Sequence, residues 1–423
     1  MKRRDVLKAG LAAPIGLAVA GRPATAAAAE AWEVVKARGN VPPALVEFDR
    51  AMKKYMYERE ISAGQLAIAR EGRLVFTRAY TWSTARKPVP AVTPTSLFRV
   101  ASLSKHITAT AVLRLAQDGE LDLGAPVTEY LDLRPMPGRQ ADPRLANVTL
   151  WRLLQHSGGW DRDISDDPAT IERKIAETLG KGLPNDHADV MTYMTGLPLD
   201  FTPGSRFAYS NYGYNLLGRV IEAVTRQSYQ GYVAARLLAP LRITRMRSGR
   251  TLKAETPGEV PYESSLTAKT VLDDSGTEVP FPYGGFNMAN KDASGGWVAS
   301  AMDLVRFERI FDLPAATGLL DPRSISRAHA RPEWGTFSSG SWYGAGWYVR
   351  ELSGGYNTWH HGGMAGTSTF LGRRYDGVTY AALFNRRDEE GGASDFGAIE
   401  PLLYGISAGI GTWPSVDYGS LYF

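Results

Sequence analysis

Hydrophobic positions along this chain change period several times, and each change marks an element. Leu45, Phe48, Met52 and Met56 recur at spacings of three and four behind Pro42-Pro43, which predicts a helix over Pro42 to Glu60. Gln65-Leu66-Ala67-Ile68-Ala69 and Leu74-Val75-Phe76-Thr77 then flank Glu71-Gly72, which predicts a hairpin over residues 63 to 80. Helical spacing returns in a long middle stretch, with helices starting near Ala101, Thr149 and Asn211 and loops rich in Pro, Gly and Asp between them. From 251 to 296 the periodicity gives way to Gly, Pro and Ser, the pattern of a long loop excursion. Gly344 to Leu352, Asn357 to His361, Thr367 to Tyr375 and Val378 to Asn385 read as consecutive short strands, with Asp376-Gly377 turning a final hairpin and a helix closing the chain over Ala393 to Ser407. No internal repeat is present. Strands at both ends with helices between them predict an α/β (α+β) fold: one antiparallel sheet built from both termini and flanked by helices. The sheet part falls at 42–100 and 295–410, and an inserted, mostly helical part with the loop excursion falls at 101–294.

The composition of the 423 residues, 44% hydrophobic and 22% charged, is that of a soluble globular protein. Its net charge of +4 invites a nucleic-acid reading until the charges are located. Lys2, Arg3, Arg4, Lys8 and Arg22 against Asp5 put the whole excess into residues 1–26, so no nucleic-acid partner is expected. That segment has a charged start, an apolar run from Ala9 to Gly21 and a small-residue Ala24-Thr25-Ala26 site, the pattern of a signal peptide. The run is shorter than the ~20 residues a spanning helix needs, so no stable membrane span is expected after its removal. Arg3-Arg4 followed by Leu7-Lys8 resembles a twin-arginine signal, whose route exports folded proteins, and predicts a secreted or periplasmic location. Cysteine is absent, which removes disulfides and thiolate metal sites.

Ser102-Leu103-Ser104-Lys105 opens the helix predicted near Ala101, whose apolar stripe runs through Leu103, Ile107, Ala111 and Leu115 and stops at Asp118-Gly119. Positions three apart share a helical face, and helical side chains lean toward the N-terminus, so Lys105 can reach back to the Ser102 hydroxyl. The helix N-terminus favours an alkoxide and disfavours a protonated lysine, which suits a serine nucleophile. The tetrad alone is common in chains of this length. Two later segments add to it: Tyr209-Ser210-Asn211, after the Pro203-Gly204 turn and at the start of a helix, and His360-His361-Gly362-Gly363 in the strand region.

Together the three motifs resemble those of the serine β-lactamase and penicillin-binding protein superfamily, in its class C β-lactamase, DD-peptidase and esterase branch. The second motif of that branch is Y-x-N, and the third is K-T-G or H-x-G. The likeness runs from about Ala44 to about Ser407 and includes Thr149 to Gly159 and Ser294-Gly295-Gly296-Trp297. It implies a β-lactamase-like fold and no cofactor. It implies that Ser102 is the acylated nucleophile, Lys105 its proton partner and Tyr209 the base toward serine and then water. Asn211 would bond the substrate amide or Lys105. His360 takes the Lys/His place of the third motif, since H-x-G followed by three residues and a glycine, here Gly366, is the branch's spacing; His361 is the alternative. Gly362 would let substrate pass close to the strand, and the N–H groups of Ser102 and Gly363 would form the oxyanion hole. A tyrosine is a poor base at neutral pH unless a cation stabilises its phenolate, and Lys105 is the candidate. The pair then rests either as neutral lysine with phenol or as ammonium with phenolate.

Other candidates read more plainly. Trp297 and Trp359 lie beside glycine-rich motif segments and are candidates to line an acyl pocket. His156, in a Ser-Gly-Gly loop, reads as structural or cleft-lining, the former preferred, and His106, His187 and His329 as surface or satisfied histidines. No metal site is expected, because His360 and His361 are strand neighbours that point to opposite faces. There is no G-x-S-x-G elbow, which argues against an α/β-hydrolase. The expectation is an exported serine hydrolase acting through a Ser102 acyl-enzyme on small-molecule or peptide substrates, esters or amides of peptide or D-amino-acid type. The alternatives are an acyltransferase or peptide cyclase, a β-lactamase, or a penicillin-binding protein without turnover. Histidine in place of the third-motif lysine counts against efficient β-lactamase action, because a permanent cation is replaced by a titratable group.

Overall fold

The computed structural model describes residues 31–85, 87–389 and 396–423. The export signal expected at 1–26 and the start of the closing helix expected at Ala393 lie outside the described residues. Three strands open the described chain: β1 (Lys36–Asn40), β2 (Ala63–Arg70) and β3 (Arg73–Thr81). Short strands β4 (Phe98–Arg99), β5 (Arg247–Ser248), β6 (Thr267–Lys269), β7 (Glu278–Pro280) and β8 (Trp297–Ala299) punctuate the helical middle. The C-terminal part supplies β9 (Trp342–Tyr343), β10 (Tyr348–Leu352), β11 (Gly355–Met364), β12 (Thr367–Arg373) and β13 (Val378–Phe384).

The main sheet is antiparallel in the order β1-β3-β2-β13-β12-β11-β10-β9. Its seam joins the two ends of the chain, with Ala67 opposite Ala381 and Ile68 opposite Tyr380. Both faces are covered. Ile68, Phe76, Tyr380 and Phe370 pack under the Val46–Glu58 and Ile399–Ala408 helices, against Phe48, Met52 and Leu403. Ala67, Ala69, Leu371 and Ala381 face the larger core around Leu103, Ile107, Leu216 and Trp297. A strand buried on both sides has no polar face to alternate with, which is why β2 and β13 read as continuous apolar runs.

The first hairpin turns at Glu71 (φ +51°) and Gly72 (φ +73°), two left-handed residues in a two-residue loop that matches the twist of its strands. The single strand expected over Gly344 to Leu352 is split. Gly344 donates its N–H to Trp347 O (2.8 Å) and Gly346 has φ +80°, so a tight turn separates β9 from β10. β1 has the sequence Lys-Ala-Arg-Gly-Asn, and as an exposed edge strand it needs no apolar alternation to announce it. The 251–296 stretch is a loop excursion with a small β6–β7 ribbon. It is anchored by Arg99, whose fully buried guanidinium donates to Pro282 O (2.7 Å) and Arg250 O (2.9 Å). Among the described residues no helix is long and apolar enough to cross a membrane.

Candidate active site

Ser102 sits in a single 3₁₀ turn, Ala101–Leu103, that leads into the Ser104–Gln117 helix. Ala101 enters that turn at φ +50°, a left-handed conformation that costs a non-glycine residue on the order of 1–3 kcal/mol and is held by the packing around it. Val100 donates its N–H to Trp297 O (2.9 Å), and Thr369 donates its hydroxyl to Val100 O (3.0 Å), so β8 and β12 fix the turn from two sides. Lys105 leans back as its spacing predicts, with Nζ 3.2 Å from Ser102 Oγ. Nζ also donates to Asn211 Oδ1 (2.7 Å) and to Ser294 O (2.6 Å). The Asn211 amide is oriented by Asp167, whose carboxylate accepts from Asn211 Nδ2 and leaves Oδ1 facing the lysine. Burial pushes Lys105 well below the usual lysine range, against the opposing pull of Asp167. A neutral amine fits these partners: its two N–H groups go to two oxygens that can only accept, and its lone pair faces the Ser102 hydroxyl.

Tyr209 lies beside this pair, with Lys105 Nζ over its ring at 4.7 Å from the centroid. Burial raises its phenol well above the ordinary value, and its hydrogen bond with Ser102 only partly opposes that. Both shifts favour the uncharged forms. The ammonium–phenolate pair considered from sequence is therefore the disfavoured alternative. His156 holds Tyr209 on both sides. Its carbonyl accepts the Ala208 N–H (2.8 Å), its Nδ1 accepts the Ser210 N–H (3.1 Å), and its ring lies 4.2 Å from the Tyr209 ring, centroid to centroid. His156 itself has φ +53°.

The third motif runs along β11, where alternation separates its two histidines. His360 faces the site, its ring 6.2 Å from that of Tyr209, and is almost fully buried. Its Nδ1 donates to His361 O (2.6 Å), which leaves Nε2 to accept from the Tyr343 hydroxyl (3.0 Å). Burial depresses its pKa, so the ring is neutral with both nitrogens occupied. His361, the alternative for that role, is not brought to the site: it points to the opposite face and bonds Glu400 of the closing helix (2.8 Å). β10 pairs with β11 only through Gly355–Trp359, so the edge from His360 to Met364, Gly363 included, has no strand partner there and lies against the nucleophile turn.

Two other expected roles are corrected. At Gly362 a Cβ would come within 2.2 Å of Thr369 Oγ1 and 2.6 Å of Val100 O, so the missing side chain makes room for β12 and for the residue that leads into the Ala101–Leu103 turn, and not for substrate. Trp297 is fully buried, and its indole donates to Tyr229 OH (2.9 Å) inside the core. It serves the site through its main chain, whose N–H donates to Ser104 Oγ (3.1 Å).

The family model described as Beta-lactamase matches residues 48–403. The chain belongs to the Beta-lactamase family. Within reach of that family are Protein flp of Staphylococcus aureus (strain N315), 28% identical over 217 residues that cover 51% of this chain and 41% of that protein, and Esterase EstB of Burkholderia gladioli, 33% identical over 240 residues that cover 56% and 58%. The chain thus spans about half the length of these curated relatives. Among solved structures, the D-amino acid amidase of Ochrobactrum anthropi SV3 superposes with a TM-score of 0.63 at 22% identity, over 86% of this chain and 99% of that one. The octameric penicillin-binding protein homologue from Pyrococcus abyssi reaches 0.60 at 23%, over 85% and 77%. These likenesses establish the β-lactamase-like fold.

Within this Beta-lactamase-family site, Asp167, Ser294 and Tyr343 are the partners that motif reading did not assign. Asp167-Pro168 announces only a capped turn, and it does cap one, accepting the Ala169 N–H (3.1 Å). Ser294 acts through its carbonyl, which no side-chain pattern reveals.

Proposed function

We propose that this chain is an exported serine hydrolase that turns over ester or amide substrates of peptide or D-amino-acid type through a Ser102 acyl-enzyme. The observation that carries this reading is the Lys105 amine, 3.2 Å from Ser102 Oγ and held there by Asn211 and Ser294. As Oγ attacks the carbonyl carbon, its proton passes to the Lys105 lone pair. The oxyanion forms between the N–H groups of Ser102 and Gly363, donors of a kind each worth about 3–4 kcal/mol in the transition state. The proton then reaches the leaving alcohol or amine by way of Lys105 and Tyr209, and water repeats the sequence on the acyl-enzyme. The neutral His360 lacks the charge that would pair with a β-lactam carboxylate, which favours esters and amides over β-lactams as substrates.

The test is hydrolysis of a p-nitrophenyl ester with mass spectrometry of the Ser102 peptide. Ser102→Ala is expected to lose activity by roughly 10³-fold or more and to show no acyl adduct; full activity in that variant overturns the reading. N-terminal sequencing of protein recovered outside the cytoplasm checks export, which predicts cleavage near Ala26.

A further inference from the structure

We propose that Asp167 is a positioning residue for acylation: the Pro168–Thr170 turn that it caps holds both of the oxygens that aim Lys105 at Ser102. This rests on the acyl-enzyme reading above and adds to it a residue outside the three motifs.

The two oxygens are Asn211 Oδ1 and Ser294 O, 2.7 and 2.6 Å from Lys105 Nζ. They belong to segments far apart in the chain, and one turn touches both. It reaches the first through Asp167 itself. Oδ1 of that carboxylate accepts the Ala169 N–H (3.1 Å) and closes the cap, while Oδ2 accepts from Asn211 Nδ2. A primary amide has one accepting and one donating end, so this contact decides which end meets the lysine. Turned over, Asn211 would face the carboxylate with Oδ1, an acceptor against an acceptor, and would offer Lys105 a donor where it now has an acceptor.

The turn reaches the second oxygen through Lys291. Ala169 O accepts from Lys291 Nζ (3.1 Å), and the main-chain carbonyl of Lys291 accepts the N–H groups of Ser294 (3.0 Å) and Gly295 (2.7 Å). The bend that presents Ser294 O to Lys105 is therefore tied to the turn that orients Asn211. The turn is firmly seated: Pro168 and Ala169 are buried, and Thr170 donates both its N–H and its hydroxyl to Asp167 O (2.8 Å each).

Charge gives the arrangement a signature that packing alone lacks. Around Lys105 lie the anion Asp167 and the cations Arg162 and Lys291, with the rings of Tyr209, Tyr214, His156 and His360. Burial lowers the lysine most, Asp167 raises it, and Arg162 and Lys291 lower it further. The two ends of the tether, Asp167 and Lys291, thus pull the lysine in opposite directions.

The test is the pH dependence of p-nitrophenyl acetate hydrolysis, in which the acid limb of kcat/KM follows protonation of the base. Asp167→Asn keeps a good capping residue and an acceptor for Asn211 but removes the charge. It is expected to lower kcat about 10-fold, to change KM less than about threefold, and to move the acid limb down by about one pH unit. Lys291→Met should also lower kcat, yet move the limb up. With Asn211→Ala already present, Asp167→Asn should cost less than about twofold more in kcat, because the amide it orients is gone, while the limb still moves down. Thermal melts of each variant confirm that it is folded. An unchanged kcat in D167N, full additivity with N211A, or an acid limb that D167N and K291M do not move in opposite directions overturns the assignment and leaves the acyl-enzyme reading standing. Cleavage of the same ester by Ser102→Ala overturns that reading and this inference with it.

Discussion

At Tyr209 the backbone on both sides of the residue is hydrogen-bonded to His156, and the imidazole lies against the phenol ring. From sequence this histidine reads as structural, and in a narrow sense it is. What it structures is the position of Tyr209 relative to Ser102, and in the proposed mechanism, where Tyr209 passes a proton, a displacement of about 1 Å costs up to 100-fold in rate. His156→Ala is expected to lower kcat by 10- to 100-fold with KM changed less than about threefold. His156→Asn puts an acceptor oxygen near the place of Nδ1 and tolerates the left-handed backbone at φ +53°, so it should recover part of the loss. Steady-state kinetics beside thermal melts separate this from simple destabilisation; a loss confined to Tm, with kcat intact, removes His156 from the mechanism. The same scale decides the charge state of Lys105. Its spacing from Ser102 is legible in four consecutive letters, but the lowering of its pKa comes from burial among Asn211, Ser294 and Tyr209, none of which is near it in the chain.

Strand β11 and the nucleophile turn approach as closely as a glycine allows. The side chain missing at Gly362 leaves space already filled by Thr369 Oγ1 and Val100 O. Gly362→Ala must therefore push β11 away from Ala101, and because Val100 O is backbone the strain cannot be relieved by a rotamer change. The expected cost is about 1–3 kcal/mol in stability, with a fall in kcat larger than that of an equally destabilising substitution in the Val46–Glu58 helix on the far face. Urea denaturation together with ester hydrolysis measures both; unchanged kcat would mean that β11 does not set the oxyanion position. Element by element, the long periodic segments and the two-residue turns were readable because their signals are local. The two- and three-residue strands β4, β5 and β8 were not, since nothing shorter than a period carries one, although β8 is what buttresses the serine.

For the whole molecule, a buried carboxyl couples folding to pH. Glu172 opens the Glu172–Leu179 helix, is 2% exposed, and accepts the Asn287 N–H (3.1 Å) from the loop excursion with Oε1, while Oε2 has no partner among the described residues. Burial raises its pKa to about 7. A carboxyl raised in the folded state favours folding while protonated, so its contribution is complete below about pH 4.5 and is lost as pH rises through about 7, on the order of 3 kcal/mol in all. Glu172→Gln keeps an acceptor for Asn287 and removes the titration. Wild type should lose more stability than E172Q between pH 5 and pH 8, and parallel slopes in denaturant melts would refute the assignment. Sequence by itself determined the antiparallel sheet shared by the two ends, the helix that carries Ser102 and Lys105, and the opposite facing of His360 and His361. Each of these follows from a backbone period of 3.6 or 2 that a few residues suffice to express. Only the tertiary structure decided which histidine meets Tyr209, that burial disfavours the charged forms of Lys105 and His360, and that Gly362 yields to the protein's own turn. Burial and hydrogen-bond partnership are set by segments far apart in the chain, and no local pattern records them.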